Sequence, residues 1–169
     1  MPRSRLRLFV AIVVAALGTA CSNAPDQPLV PSSEAYRTWE RSTDVVLNEP
    51  IPGHGYGLRR IFINETGTTV RPVGDGDVSY PDGTIVVKEV FGSPEPAPGA
   101  EPVMLTVMVK RPDDERSIGG WVWIMKEFPD GEEQILDVEF CLTCHSNANE
   151  AHPYGDGNPD LAFRDYLFY

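Results

Sequence analysis

One pentapeptide in the last part of the sequence constrains this chain more than any other feature. In Cys141-Leu142-Thr143-Cys144-His145, two cysteines stand three positions apart and a histidine follows directly. Two thiols at this spacing, on a turn leading into a helix, reach the two vinyl groups of a haem, and the histidine then faces the iron. The motif predicts one covalently attached haem c, bound through Cys141 and Cys144, with His145 as axial ligand.

Two rival uses of paired cysteines have less support. A structural zinc ion needs four ligands, and the histidines outside the motif are His54, far upstream, and His152, shortly downstream. A thioredoxin-like Cys-x-x-Cys expects a βαβ context, which the sequence pattern lacks.

The position opposite His145 is predicted to be open. No methionine follows the motif. Met104, Met108 and Met125 fall inside predicted strands, where methionine ordinarily fills the core. His152 is most simply a surface loop residue. An open sixth position binds small molecules such as nitric oxide, hydroxylamine or peroxide.

The first part of the chain reads as an export signal. Three arginines precede an apolar run, Leu8–Leu17, that is too short to cross a bilayer comfortably. Small residues then lead to Cys21, as in bacterial lipoproteins cleaved before a cysteine that takes a diacylglycerol. Ordinary secretory cleavage, with Cys21 left as a spare thiol, stays open. Residues 1–20 are thus predicted as the signal peptide, 21–31 as a flexible tether and 32–169 as the haem domain, in the bacterial periplasm.

The remaining pattern predicts a mainly β (α+β) fold: an antiparallel sheet with short flanking helices, followed by the C-terminal haem-binding segment. A short helix capped by Ser33 is predicted over 33–41. Runs of β-branched and aromatic residues, separated by Pro- and Gly-rich turns, predict strands at 58–63, 84–91, 103–110, 119–128 and 134–138. The net charge of −11 argues against a nucleic-acid partner, whose phosphates need basic side chains.

Several segments, in their order, resemble the cytochrome P-460 family, which includes the cytochromes c prime-beta. Tyr36–Trp39 resembles the family's early helix, and Leu58–Asn64 resembles its first strand. Tyr80–Glu89 follows its most distinctive segment. Two later strands match Val107–Lys110 and Gly119–Trp123, and the haem motif is Cys141–His145. The resemblance implies a small antiparallel β fold, a homodimer and five-coordinate haem. It also implies oxidation of hydroxylamine to nitrous oxide or nitric oxide. For such a reaction we expect an external electron acceptor, such as another cytochrome c.

The resemblance also marks Lys88, which matches the lysine that cytochrome P-460 bonds to its haem macrocycle. Strand alternation puts Lys88 on one face with Val86 and Val90, so it is either an edge-strand guard or an inward functional group. Bonding needs a neutral amine, which burial favours. Glu89, on the opposite face, is expected to face solvent or to pair with a basic neighbour.

Three further residues are candidates for catalysis. Arg59 matches a distal-side arginine of the family, where it would hydrogen-bond an iron-bound oxyanion or a propionate; a surface arginine is the alternative. Asp137 and Glu139 precede the motif and share a face, so either could be the general base that removes protons from hydroxylamine. Asp137 is the favoured general base of the two. The alternative is that both are solvent-exposed acids without a catalytic role.

Three functions stay open: a haem-dependent oxidoreductase acting on hydroxylamine, a nitric oxide-binding protein without turnover, and a membrane-tethered electron carrier. A low-spin, six-coordinate spectrum would support the third. Trp121 and Trp123 are expected in the core or a dimer contact. Tyr166, Phe168 and Tyr169 are expected to close an apolar seam.

Overall fold

The computed structural model describes residues 28–42, 44–51, 54–55, 57–70, 76–137, 139–151, 153 and 157–168. The predicted signal peptide, the predicted lipidation residue Cys21, most of the predicted tether, His152 and Tyr169 lie outside these residues. Within the described part, no helix is long and apolar enough to cross a membrane.

Short helices flank a single sheet in the described chain. The elements, in chain order, are α1 (Ser33–Tyr36), β1 (Glu40–Arg41), β2 (Arg59–Ile63), α2 (Glu65–Thr68), β3 (Ile85–Val90), β4 (Met104–Lys110), β5 (Trp121–Glu127), β6 (Gln134–Ile135) and α3 (Glu139–His145). A 3-10 turn, Ser146–Asn149, continues α3. The predicted class, mainly β with short helices, is confirmed.

The sheet has six strands in the order β1-β2-β3-β4-β5-β6, so every strand pairs with its neighbour in sequence. All five pairings are antiparallel. The register sets Lys88 opposite Ile61 on one side and Thr106 on the other. Since alternate residues of a strand share a face, this register fixes which side chains meet Lys88.

Both faces of the sheet are buried by other parts of the chain. On the first face, Val87, Val107 and Val122 pack with Tyr36 of α1, and Leu29 and Val30 belong to the same cluster. The last two are buried although they lie within the segment predicted as a tether, and their N–H groups donate to the Glu133 carboxylate at 2.9 Å each.

The second face carries the two tryptophans. Trp121 and Trp123 pack with Val86 and Met108, and Cys141 and Leu142 of α3 lie against this cluster. The sheet therefore separates two cores, and α3 with its cysteines belongs to the tryptophan side. The methionine in this cluster, Met108, fills the core as predicted.

The helix predicted over 33–41 is wrong in its length and its cap. It covers Ser33–Tyr36, and Ser32 is the cap, since its Oγ accepts from the N–H of Ala35 at 3.4 Å. The chain then turns, and Glu40 pairs with Ile63 at the sheet edge. Strand pairing thus competes with the helix for these residues.

Two further departures concern short elements. The strand predicted over 134–138 is only Gln134–Ile135. The turn-rich segment predicted after β2 contains α2, capped by Asn64, whose Oδ1 accepts from the N–H of Gly67 at 3.1 Å.

Candidate functional site

The predicted haem-attaching cysteines both lie on α3. Cys141 and Cys144 are three residues apart, so they lie on the same side of the helix, and both thiols are free and partly buried. Between them, Leu142 packs on the tryptophan face. Gly119 allows this close approach: a Cβ there would be 2.5 Å from Leu142 Cδ1, and its φ of +65° also suits glycine.

His145 ends α3 with its ring held by a backbone group. The carbonyl oxygen of Tyr166 lies 2.8 Å from His145 Nδ1. Because a carbonyl can only accept, Nδ1 carries the hydrogen and the lone pair is on Nε2, the nitrogen left to bind a metal. The rings of Trp123 and Phe168 flank the imidazole, with centroids at 4.8 and 5.9 Å. The chain thus orients this histidine from three sides.

The lysine singled out by the resemblance lies on the same side of the sheet. Lys88 shares its face with Val86 and Trp123, and its Nζ is 3.3 Å from Nε2 of His54. The ring of His54 lies 6.1 Å from that of His145, nearly perpendicular to it. His54 thus links the lysine to the predicted axial histidine. Its other nitrogen, Nδ1, is buried without a hydrogen-bond partner among the described residues.

Burial sets the charge of these groups. Burial first, and then the positive charge of Arg59, lowers the pKa of Lys88 to about 8. Burial, followed by the charge of Lys88, lowers the pKa of His54 to about 3. The same two causes, in the same order, lower the pKa of His145 to about 4. Both imidazoles are therefore neutral at neutral pH, and the amine of Lys88 has an appreciable neutral population.

Arg59 is buried, with 2% of its surface exposed, and lies on the same face as Lys88. Its Nη1 donates to the carbonyl of Glu49 at 2.7 Å. The neighbouring Arg60 is exposed, and its guanidinium lies 4.7 Å from the ring centroid of Phe91. Arg59 is thus the inward-facing arginine of the two, held by a backbone group near the site.

One row of the tryptophan face is less completely covered than the adjacent row that holds Trp123. Lys88, Thr106 and Met125 lie side by side across β3, β4 and β5, and all three are partly exposed. The adjacent row holds Met108 and Trp123, which are buried. The partly covered row therefore lies next to the place where Trp123 meets His145.

These residues fit a haem c. Two free thiols lie on one side of one helix, and the histidine that ends the helix has its Nε2 lone pair available. The sheet beside them offers the partly exposed row of Lys88, Thr106 and Met125. A zinc site fits less well: across the described chain, no group of three or more His, Cys, Asp or Glu side chains could hold a metal ion.

The two predicted carboxylates are placed differently. Asp137 is exposed and lines a surface pocket with Glu115, Arg116 and Ser117. Glu139 is exposed in the first turn of α3. Neither makes a described contact with His145 or Lys88, and their catalytic role stays a prediction.

The sequence model of the family Cytochrome P460 matches residues 33–169. The chain belongs to the cytochrome P460 family. The match includes all six strands and α3, and membership implies a c-type cytochrome with haem c as cofactor. No curated protein matches the chain.

Two groups of this P460-family site were not found by sequence reasoning. His54 lies in a Gly-rich loop, and its contact with Lys88 spans 34 residues. The signal available was only its rarity, since the chain has three histidines. The Tyr166 carbonyl belongs to the backbone, which is the same in every residue, so the residue type at position 166 does not predict this contact.

Proposed function

We propose that this chain is an exported haem c protein that oxidises hydroxylamine to nitrous oxide or nitric oxide. The observation that carries the proposal is the amine of Lys88, which lies beside His54 on the sheet face that α3 covers. In the family, a lysine at this place bonds to the haem macrocycle in the members that oxidise hydroxylamine. A neutral amine is the form able to bond to carbon, and the lowered pKa of Lys88 supplies it.

Cys141 and Cys144 would hold the haem through thioether bonds, and His145 Nε2 would bind the iron. When bound, the haem supplies a coordination position for the nitrogen substrate and a route for electrons. The hydrogen bond from His145 Nδ1 to the Tyr166 carbonyl keeps the imidazole in one tautomer and orientation. The aromatic rings of Trp123 and Phe168 limit water around it.

Hydroxylamine must lose protons as it loses electrons, so the site needs a group that accepts them. We assign this role first to His54, because one ring nitrogen faces Lys88 and the other is buried and unpartnered among the described residues. Bonding of Lys88 to the haem would remove the positive charge that helps to lower the pKa of His54, and so would make its imidazole a stronger base. Arg59 adds a buried positive charge that favours a substrate oxyanion. Asp137 and Glu139 remain candidates, and from the surface they would act through water.

The setting of the reaction follows from the predicted signal and is part of the same proposal. Cleavage before Cys21 would leave a periplasmic lipoprotein tethered to the membrane. Electrons would leave to an external acceptor, such as another cytochrome c. A homodimer is proposed from the family resemblance.

The first test is the absorption spectrum, ferric and then reduced, together with the intact mass. We expect one haem per chain and a strongly red-shifted ferrous Soret band that becomes that of an ordinary haem c in Lys88→Ala. A Cys141→Ser/Cys144→Ser variant should lose covalent haem. A wild-type spectrum already of the ordinary kind would contradict the cross-link.

The second test is hydroxylamine turnover with an artificial electron acceptor. We expect His54→Ala to lower kcat by about a hundredfold or more, the usual loss of a general base. If Asp137→Ala/Glu139→Ala lowers it by that much while His54→Ala does not, a carboxylate is the base. Equal rates in all three proteins would contradict both assignments.

Two other functions stay open. The first is a nitric oxide-binding protein, as in the cytochromes c prime-beta; tight nitric oxide binding without hydroxylamine turnover would establish it. The His54 ring, 6.1 Å from that of His145, would suit a second axial ligand and an electron carrier. A low-spin ferric spectrum that becomes high-spin in His54→Ala would establish that function.

A further inference from the structure

The Tyr166 carbonyl, which orients His145, belongs to a backbone turn whose conformation must be stabilised by other parts of the chain. Asp165 and Tyr166 both have positive φ, +49° and +69°, and neither is glycine. Side chains make this region unfavourable, so such residues persist where the surroundings impose them. The Tyr166 carbonyl in this turn accepts the hydrogen bond from His145 Nδ1.

The Asp165 carboxylate supplies that support. It is buried, with 1% of the residue exposed, and its two oxygens accept from three different parts of the chain. Oδ1 accepts from Lys110 Nζ at 2.7 Å and from Trp121 Nε1 at 3.2 Å. Oδ2 accepts from the N–H of Tyr80 at 2.8 Å. Strands β4 and β5 and the segment before β3 therefore all hold this one side chain.

Two consecutive glycines before β5 leave room for the contacts that Asp165 and Tyr166 make. A Cβ at Gly120 would lie 2.9 Å from Lys110 Nζ, so glycine leaves the room in which the ammonium reaches Asp165. A Cβ at Gly119 would lie 3.1 Å from the ring of Tyr166. Both glycines have positive φ, +65° at Gly119 and +84° at Gly120. The loop before β5 is thus fitted to the turn that carries the carbonyl.

We propose that Asp165 is a positioning residue for the axial ligand: with Lys110 it fixes the turn that aims the Tyr166 carbonyl at His145. The inference rests on the proposed function in that it takes His145 as the iron ligand. A hydrogen bond donated by the ligand makes the imidazole more electron-rich, which stabilises ferric over ferrous iron. Through the Tyr166 carbonyl and His145, Asp165 would therefore shift the reduction potential of the bound haem.

The test compares holoprotein variants by redox titration and by resonance Raman spectroscopy of the ferrous state. Asp165→Asn removes the charge that binds Lys110, so the turn is held less firmly, although the indole N–H of Trp121 still donates to the Asp165 backbone carbonyl at 3.1 Å. We expect the midpoint potential to rise and the iron–histidine stretching frequency to fall. Lys110→Met should shift both in the same direction. The matched control is Asp77→Asn, because Asp77 Oδ1 accepts from the N–H of Phe163 at 2.8 Å in the same segment. It should leave both readouts at the wild-type values.

Unchanged potential and frequency in Asp165→Asn, with only lower stability, would overturn the proposal and leave Asp165 a purely structural residue. Equal shifts in Asp77→Asn would overturn it too, since any loosening of the segment would then suffice. If Asp165→Asn does not fold, Gly120→Ala serves instead: it crowds Lys110 while the carboxylate keeps its bond from Tyr80. Failure of the proposed function is seen separately, as a wild-type spectrum that His145→Ala does not change.

Discussion

The buried carboxylate of Glu89 lies on the sheet face opposite Lys88, and its hydrogen bonds allow a quantitative prediction of stability. Glu89 is 1% exposed, and its Oε1 accepts from the Tyr36 hydroxyl at 2.9 Å and from Arg37 Nε at 2.7 Å. Arg37 also pairs with Glu101, whose side chain is 58% exposed. One arginine thus binds one buried and one exposed carboxylate. This arrangement provides a matched pair of substitutions, Glu89→Gln and Glu101→Gln.

Glutamine keeps the volume of the side chain and an acceptor oxygen, so the loss is that of charge. Hydrogen bonds to a charged group contribute about 1.5–3 kcal/mol and neutral ones about 1 kcal/mol. Two bonds converge on Glu89, but Arg37 is 35% exposed and water compensates part of its loss. We expect Glu89→Gln to lower the free energy of unfolding by roughly 2 kcal/mol. Glu101→Gln should lower it by clearly less, because water replaces most of what an exposed carboxylate loses.

The assay is urea unfolding of the holoprotein followed by far-ultraviolet circular dichroism, with similar m-values required of all three proteins. A loss in Glu89→Gln no larger than in Glu101→Gln would refute the reasoning, because burial would then not distinguish the two pairs. A double variant should lose close to the sum only if Arg37 binds the two carboxylates independently.

Two further predictions concern a glycine and the lysine. Gly57→Ala should lower the free energy of unfolding by more than about 3 kcal/mol, or prevent the folded protein from accumulating, because its Cβ would lie 1.5 Å from the carbonyl oxygen of Phe91. The control is Gly76→Ala, whose Cβ would have no atom within 4 Å. It should be nearly neutral in the same unfolding assay. In protein whose mass shows no Lys88–haem bond, the free energy of unfolding should rise as pH rises through about 8 and above, because the lowered pKa makes the unfolded chain hold more protons there. A curve no steeper than that of Lys88→Met would contradict this.

The parts of the site that follow strand alternation were predictable from sequence. Lys88 and Arg59 share a face because both stand in strands whose register keeps period two. Glu89 illustrates the limit. Alternation places it opposite Lys88, but whether that face meets solvent depends on α1 and residues 29 and 30, which cover it. The solvent-facing alternative was wrong, and the alternative of a basic partner is confirmed by Arg37.

Groups brought in by loops could not be predicted. His54 reaches Lys88 through a connection whose path has no periodic signal, and Tyr166 contributes an atom common to every residue. Trp123 was expected in the core or at a dimer contact; it is in the core, and its ring also packs against His145. A tryptophan on a buried face gives no sequence sign of which neighbour it will meet.

The order of the strands has a consequence for assembly. Because each strand pairs with its neighbour in sequence, the whole sheet is specified by residues up to Ile135, before either motif cysteine. Covalent attachment of the proposed haem would need thiols that stay accessible. A motif placed after the last strand would satisfy this requirement, because no strand of the described sheet follows it. The turn at Asp165 comes later still, so the proposed attachment and the alignment of His145 depend on separate stretches of the chain.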